Sequence, residues 1–493
     1  MEKDVKIGLE IHCQLTALKS KMFCGCSSDY RGKAPNSSVC PICLGLPGSL
    51  PAINEKTIDL SIMVALALNS EIAKETLFFR KNYYYPDLPK NFQISQYDKA
   101  GGVPIASNGK ITFTVNMKRK AVAIRRIHLE EDPGKLYYLG SIDVSPYALV
   151  DYNRAGIALL EIVTEPEFES PREARVFLQK IRSILEHLDV SDGSLEGSMR
   201  CDTNISLAGG LRIEIKNISS FKEVERALNF EIIRQRTLLN RGVSIRLETR
   251  HWDEARRVTV SLRTKEEEQD YRYFPEPDLV PMHISKEQIE KMRYQIPELP
   301  DARKLRFIKN YNLPQYDAEV LTSDRSLADF FEKCITLYNK PKPVANWLMG
   351  DVLQCLHSLE LDLPQSKIKP EHLAEMLTLM DEGVISIKIA KKLLWDIMKT
   401  GKMPSTIVKE KGMVRITDVE TLGEFSNKVF SEYPKAVQDA LTDENAVHYL
   451  VGQLMALSKG KADPELTNRI VREKLQTIRN KQFSGSKEGE VSQ

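Results

Sequence analysis

The sequence predicts an α+β fold, and three observations lead there. Short alternating strands recur through about the first 290 residues. Helical segments interrupt them without the regular strand–helix alternation of a doubly wound sheet. After the proline-rich stretch between Pro275 and Pro300 the chain turns almost wholly helical.

The strand candidates, in order, are VKIGLEIHCQL, KITFTVNM, IRRIHLEE, ALLEIVTE, TNISLAG, LRIEIKNIS and RRVTVSLRT. Apolar residues three and four apart predict helices over Glu55–Leu68, Ser170–Leu188 and Lys222–Asn240. Later helical periods cover Ser285–Met292, Asp301–Asn310, Asp317–Leu321, Ser326–Leu337, Ala345–Ser358 and Pro370–Met380. The expected plan is an α+β domain over 1–294, a helical domain over 295–405, a second helical unit over 406–482 and a disordered polar tail over 483–493. The run TGKMPSTIVKEKGMVRITD reads as a linker between the two helical units.

Composition narrows the class. Apolar residues make up 42% and charged residues 28% of the 493, which is ordinary for a soluble globular chain. The longest apolar stretch, near Ile62–Leu68, falls far short of a membrane span. The N-terminus carries acids and no apolar signal core, so the expected location is cytoplasmic, with no membrane partner. A net charge of +2 does not argue for nucleic acid by itself. The segment from Lys459 to Lys481 is locally basic, with Lys461, Arg469, Arg472, Lys474 and Arg479 between. On charge alone a solvated helix face is the favoured reading.

No P-loop, dinucleotide fingerprint, zincin or serine-hydrolase motif is present. A chain that handles phosphate without a P-loop has to use carboxylates, a metal and cations. The strand Ile7–His12 offers such groups. With period two, Ile7, Leu9 and Ile11 share one face and Gly8, Glu10 and His12 the other. The same alternation groups Arg212, Glu214 and Lys216, and likewise Asp202, Asn204 and Ser206. Glu161 stands alone in the apolar run ALLEIV, where an unpaired acid is costly. Glu130 and Glu131 are adjacent, so at most one of them serves a given sheet face. Oxygen donors of this kind suit Mg²⁺. Solvent-facing cross-strand ion pairs would give the same pattern.

Four of the eight cysteines form C-x-C…C-x-x-C at Cys24, Cys26, Cys40 and Cys43. Two close pairs of thiolates suit tetrahedral zinc, and with all four positions on sulfur the site would be structural. Cys13, Cys201, Cys334 and Cys355 have no such partners and read as plain core or surface residues.

Longer blocks carry a resemblance. GLEIH, QLTALKSKMFC, RKNYYYPDLPKNFQISQYD, IHLEEDPGK, LVDYNRAGIALLEIVTEPE, EGSMRCDTN, EIKNISSFK, ETRHWDEARR and DYRYFPEPDL stand in this order. Together they resemble the signature blocks of the B-subunit family of tRNA-dependent amidotransferases. The C-terminal unit resembles that family's tRNA-contacting tail. The resemblance implies a cradle domain built on an antiparallel sheet, then a helical domain and the tail. It implies that ATP and Mg²⁺ phosphorylate the side-chain carboxylate of a misacylated Glu or Asp, and that ammonia from a glutaminase displaces the phosphate. Carried over by motif, Glu10, His12, Glu131, Glu161 and Asp202 are expected at the Mg²⁺ and phosphoryl-transfer site. Lys81 is expected on phosphate or the ammonia path, with Arg212, Glu214 and Lys216 beside ATP. Implied partners are the amidase, or A, chain of such a complex, its small C chain, misacylated tRNA and, as a further candidate, the matching aminoacyl-tRNA synthetase. Ala158 and Ala100 stand where the family commonly has proline. The competing reading is a noncatalytic, zinc-containing tRNA-binding subunit.

Overall fold

The computed structural model describes residues 4–96, 101–139, 145–207, 210–216, 218–264, 271–413, 416, 418–458 and 460–485. Contacts divide the chain into two units. The first is Met1–Arg303 with Ser323–Arg325; the second is Lys304–Thr322 with Ser326–Gln493.

The first unit opens with β1 (Val5–Gln14), α1 (Pro41–Leu44), α2 (Glu55–Ala67) and the short β2 (Glu71–Ile72) and β3 (Glu75–Thr76). Next come β4 (Phe79–Asn82), β5 (Phe92–Ser95), the long hairpin β6 (Ala106–Val115) and β7 (Lys118–Glu131), and a small hairpin β8 (Lys135–Tyr138) and β9 (Ala148–Asp151). Then follow β10 (Ala158–Thr164), α3 (Pro171–His187), β11 (Met199–Leu207), β12 (Ile213–Lys216) and α4 (Phe221–Asn240). The unit closes with β13 (Glu248–Asp253), β14 (Val258–Thr264), β15 (Phe274–Pro275), β16 (Met282–His283) and α5 (Lys286–Gln295).

One large sheet dominates, in the order β14-β13-β12-β11-β1-β10-β7-β5-β4-β15, with β6 on β7 and β2 on β6. Every pairing in it is antiparallel except β12 with β13. The α+β expectation therefore holds. One sheet face is apolar. Ile7, Leu9, Ile11, Ile127, Leu129, Leu160, Ile162, Ile205 and Ile213 are buried in one core with Phe177 and Leu178 of α3 and Val224 and Leu228 of α4. Each such side chain, once fully buried, contributes roughly 1.5–3 kcal/mol. The strand β1 lies centrally, so its other face has neighbours on both sides.

Local chemistry explains the helix starts. Ser170 caps α3 by accepting from the Glu173 N–H, and Pro171 follows at the first helical position. Ser220 caps α4 in the same way through Glu223 N–H.

The second unit is helical, beginning within α6 (Pro300–Tyr311) and continuing with α7 (Gln315–Leu321), α8 (Arg325–Leu337) and α9 (Pro341–Trp347). A π-helical turn, Leu348–Val352, joins α9 to α10 (Leu353–Ser358). Beyond them lie α11 (Pro370–Asp381), α12 (Ile387–Thr400) and α13 (Pro404–Lys411). A separate apolar cluster belongs to α14 (Val419–Glu432), α15 (Pro434–Asp439), α16 (Glu444–Leu457) and α17 (Pro464–Gly485).

Two expectations need correction here. The stretch read as a linker contains α13, opened by Pro404 and closed by Gly412, with Ile407 and Val408 buried in the core of the preceding helices. The tail expected from 483 is helical as far as Gly485; the rest of it, 486–493, lies outside the described residues. Ala100 and Lys459 also lie outside them. No described helix is long and apolar enough to cross a membrane.

Candidate active site

The polar face of β1 meets polar faces of its neighbours in register. Glu10 lies opposite Asp202 of β11. His12 lies opposite Glu161 of β10, and Glu161 lies opposite His128 of β7. Two residues beyond His128, on the same face, comes Glu130. Period-two geometry has thus set a row of acids and imidazoles across four strands. All of them but His128, which lies behind Glu161, line a cavity of about 500 Å³ together with Lys81, Arg200 and Lys216.

Distances are short throughout. His12 Nε2 is 3.3 Å from Glu161 Oε2, 3.7 Å from Glu10 Oε1 and 3.8 Å from Glu130 Oε1. His128 Nε2 is 3.2 Å from the same Glu161 oxygen and 3.8 Å from Glu130 Oε2. Burial removes water from this group, so its charges act strongly on one another. Burial alone would push the Glu161 carboxyl up, but the His128 and His12 imidazoles outweigh it and hold Glu161 well below the usual carboxylate range. The reciprocal effect raises His12 despite burial, and raises His128 to about 9. The Glu161 charge, then burial, pushes Glu10 up to about 7. The Nδ1 atoms of both histidines are buried without a hydrogen-bond partner among the described residues.

This donor set fits a divalent cation. Glu10, His12 and Glu161 each offer one ligand atom, all within 4.8 Å of one another. His128, Glu130 and Glu161 form a second such group. Mostly hard oxygen donors with one imidazole each suit Mg²⁺ or Mn²⁺.

Cations flank the acids. Lys216 Nζ is 2.9 Å from Asp202 and 3.2 Å from Glu214. Arg200 is 2.9 Å from Asp132, a buried acid that also accepts from Gln14 at 2.6 Å and lies 3.8 Å from Arg154. Lys81 Nζ lies over the rings of Tyr271 and Tyr83, at 5.0 and 5.6 Å from their centroids.

The structure brings together Glu10, His12, Glu161, Asp202, Lys81 and Lys216 of the expected site residues. Three expected positions need correction. Glu131 does not line the cavity: its carboxylate accepts from Lys90 Nζ and from the Ile94 N–H, while Glu130 takes the place beside His12. Arg212 is exposed and precedes β12, which starts at Ile213, so no strand alternation carries it to the site. Glu214 is held by Lys216 and by Thr249 Oγ1 at 2.9 Å and supports the rim from behind. The residues that sequence reasoning missed are His128, Glu130, Arg154 and Arg200. A signal existed for the first two: Ile127 and Leu129 are apolar, so His128 and Glu130 had to share the opposite face.

The four cysteine sulfurs lie within 4.8 Å of one another. Gly45, at φ 66°, ends α1 in the left-handed region, and a side chain there would collide with Lys90. The Cys24 thiol first of all, then the Cys40 N–H, lowers Cys43 to about 4, and Lys21 Nζ lies 3.7 Å from its sulfur. Four sulfurs gathered this closely fit zinc.

Comparison with known proteins agrees with this architecture. Residues 5–290 match the family model described as the GatB/GatE catalytic domain, and residues 329–475 match the GatB domain. The chain is 51% identical to the B subunit of the aspartyl/glutamyl-tRNA(Asn/Gln) amidotransferase of Sulfurisphaera tokodaii, over 95% of this chain and 98% of that one. The protein of the same name from Saccharolobus solfataricus is 51% identical over 96% and 99%, and that from Thermotoga maritima 50% over 95% and 98%. With both halves matched and the similarity running nearly end to end, the chain belongs to the GatB family of amidotransferase B subunits.

Proposed function

We propose that this chain binds misacylated Glu-tRNA(Gln) or Asp-tRNA(Asn) and converts the attached acid to its amide at the cavity on β1. A side-chain carboxylate oxygen attacks the γ-phosphorus of ATP, the bond to the β–γ bridging oxygen breaks, and ADP leaves. Ammonia nitrogen then attacks the acyl carbon, phosphate departs and one proton is lost. The ammonia comes from glutamine hydrolysed on the amidase A chain, in a complex that also holds the small C chain; the matching aminoacyl-tRNA synthetase is a candidate visitor.

What supports this reading above all is the convergence of Glu10, His12, Glu130, Glu161 and Asp202 on one cavity edged by Lys81, Arg200 and Lys216. Phosphoryl transfer is served mainly by positioning and by charge placed around the moving group. A divalent cation held by Glu10, His12 and Glu161 would offset charge on the phosphoryl oxygens when bound. Arg200 and Lys216, fixed by their acids, orient the anionic groups of the substrate. The buried position of the row keeps water from the acyl phosphate. Zinc on the four cysteines would staple the loop from Cys24 to Cys43. Exposed Arg469 and Arg479 on α17 suit backbone contact with tRNA. Lys474 is engaged within the fold, by Gly423 O and Asn427.

The test is to co-purify the chain with its amidase partner and assay glutamine- and ATP-dependent amidation of both misacylated tRNAs. Glu10→Ala and His12→Ala are expected to abolish ATP cleavage while tRNA binding survives. Full amidation by both variants would leave only an RNA-binding role for this chain.

A further inference from the structure

The cavity has four lysine or arginine residues in its wall, and three of them are spoken for. Arg200 and Arg154 share Asp132, and Lys216 is held between Asp202 and Glu214. Lys81 differs. Among the described residues it makes no ion pair and no hydrogen bond; its ammonium rests on two aromatic rings, 5.0 Å from the centroid of Tyr271 and 5.6 Å from that of Tyr83. The rings themselves meet edge to face at 5.7 Å.

This seat is built from distant parts of the chain. Tyr83 follows β4 directly. Tyr271 is brought in by the segment that ends in β15: Asn82 N–H donates to Tyr271 O at 3.0 Å, Asn82 Nδ2 donates to Arg272 O at 2.7 Å, and Phe274 pairs with Arg80. Arg80 then clamps the segment through two 2.7 Å hydrogen bonds to the buried Glu276.

A carboxylate partner and an aromatic partner have different consequences for a cation. A carboxylate cancels its charge and must be displaced before an incoming anion can bind. An aromatic face stabilises the cation through the ring quadrupole and leaves its net charge in place. Burial works against the Lys81 ammonium, but the Glu130 charge together with Tyr273, Tyr83 and Tyr271 around it outweighs burial, so Lys81 stays charged.

We propose that Tyr83 and Tyr271 are positioning residues that hold the Lys81 ammonium on aromatic faces, without an ion-pair partner, so that it receives the transferring phosphoryl oxyanion. This rests on the phosphoryl-transfer reading above and adds two residues to it.

The experiment compares leucine with phenylalanine at each ring, in the assembled amidotransferase with ATP, glutamine and misacylated tRNA. Removing a ring is expected to lower kcat by about ten-fold, the factor carried by one desolvated cation–π contact. The KM for ATP should move by less than about two-fold, because the charge Lys81 meets develops mainly in the transition state. Y271F and Y83F keep the ring and should stay within about three-fold of the parent by the same argument. A packing defect in the leucine variants would disturb the KM for ATP together with kcat and lower the thermal midpoint, where loss of the cation's seat lowers kcat alone. If Y271L cannot be purified folded, Y83L against Y83F makes the same comparison from the other ring. Equal kcat for the leucine and phenylalanine variants, or a K81M enzyme as fast as the parent, overturns the proposal. Full amidation by E10Q would instead overturn the phosphoryl-transfer reading itself.

Discussion

Glu161 faces His12 directly across the β1–β10 register, with 3.3 Å between the carboxylate Oε2 and the imidazole Nε2. The same oxygen reaches His128, so one buried carboxylate ties two strands' imidazoles together. Glu161→Gln keeps the shape and removes the charge. It is expected to weaken Mn²⁺ binding at least ten-fold and amidation at least a hundred-fold, on the order seen when a charged ligand or transition-state contact is removed. Electron paramagnetic resonance titration with Mn²⁺ measures the first effect and tRNA amidation the second. Parent-like Mn²⁺ affinity would remove Glu161 from the metal site.

Adjacent acids on one strand should behave differently. Glu130 lines the cavity and Glu131 holds Lys90 away from it. Glu130→Gln is therefore expected to lower Mn²⁺ affinity, and Glu131→Gln to leave it within about two-fold, since a ligand loss costs far more than that. The reverse order of effects would mean that the face assignment of β7 is wrong.

The cysteine group should carry one zinc per chain, measured by plasma emission on protein purified without chelator. Cys43→Ser removes the ligand that is most readily a thiolate, its thiol lying at about 4. Zinc content should fall, and the thermal midpoint with it, because structural zinc contributes folding free energy directly. Amidation per folded molecule should persist, since no cysteine of the group lines the cavity. A zinc-free parent protein of undiminished stability counts against the metal.

The strand pattern made much of this site legible. Ile7, Leu9 and Ile11 alternate with Glu10 and His12 cleanly enough for sequence alone to set their faces, and the same rule applied to Ile127 and Leu129 reaches His128 and Glu130. Arg212 was misplaced because the alternation was extended past the true start of β12, and strand ends are where local pattern is weakest. The Asp132–Arg200–Gln14 network had no local signal at all. Its members come from three separate stretches of chain, and only tertiary packing decides that they meet. The α13 helix was hidden by its short length and polar content, although Pro404 and Gly412 punctuate both of its ends. The apolar clusters of the helical unit follow from period and burial; the π-helical turn at Leu348–Val352 does not, since its residues give no cue to a widened turn.

A histidine in the helical unit gives a pH prediction independent of catalysis. His372 is buried at the start of α11, where its Nδ1 accepts from the Lys369 N–H at 3.2 Å. Burial first, then the neighbouring Lys369 charge, holds the imidazole below its ordinary value of 6.5. The folded state thus favours the neutral ring, and the unfolded chain binds the proton more readily. Stability from this group is complete above the unfolded value of 6.5 and is lost as the pH falls through the lower folded value. Protonation would also place a positive charge at the positive end of a helix dipole, which works in the same direction. Urea denaturation of the parent should therefore show a lower midpoint at about pH 5.5 than at about pH 7.5, and His372→Gln should reduce that difference, because only the group whose affinity for protons changes on folding contributes to the slope. An unchanged pH slope in the glutamine variant would assign the acid sensitivity to other groups.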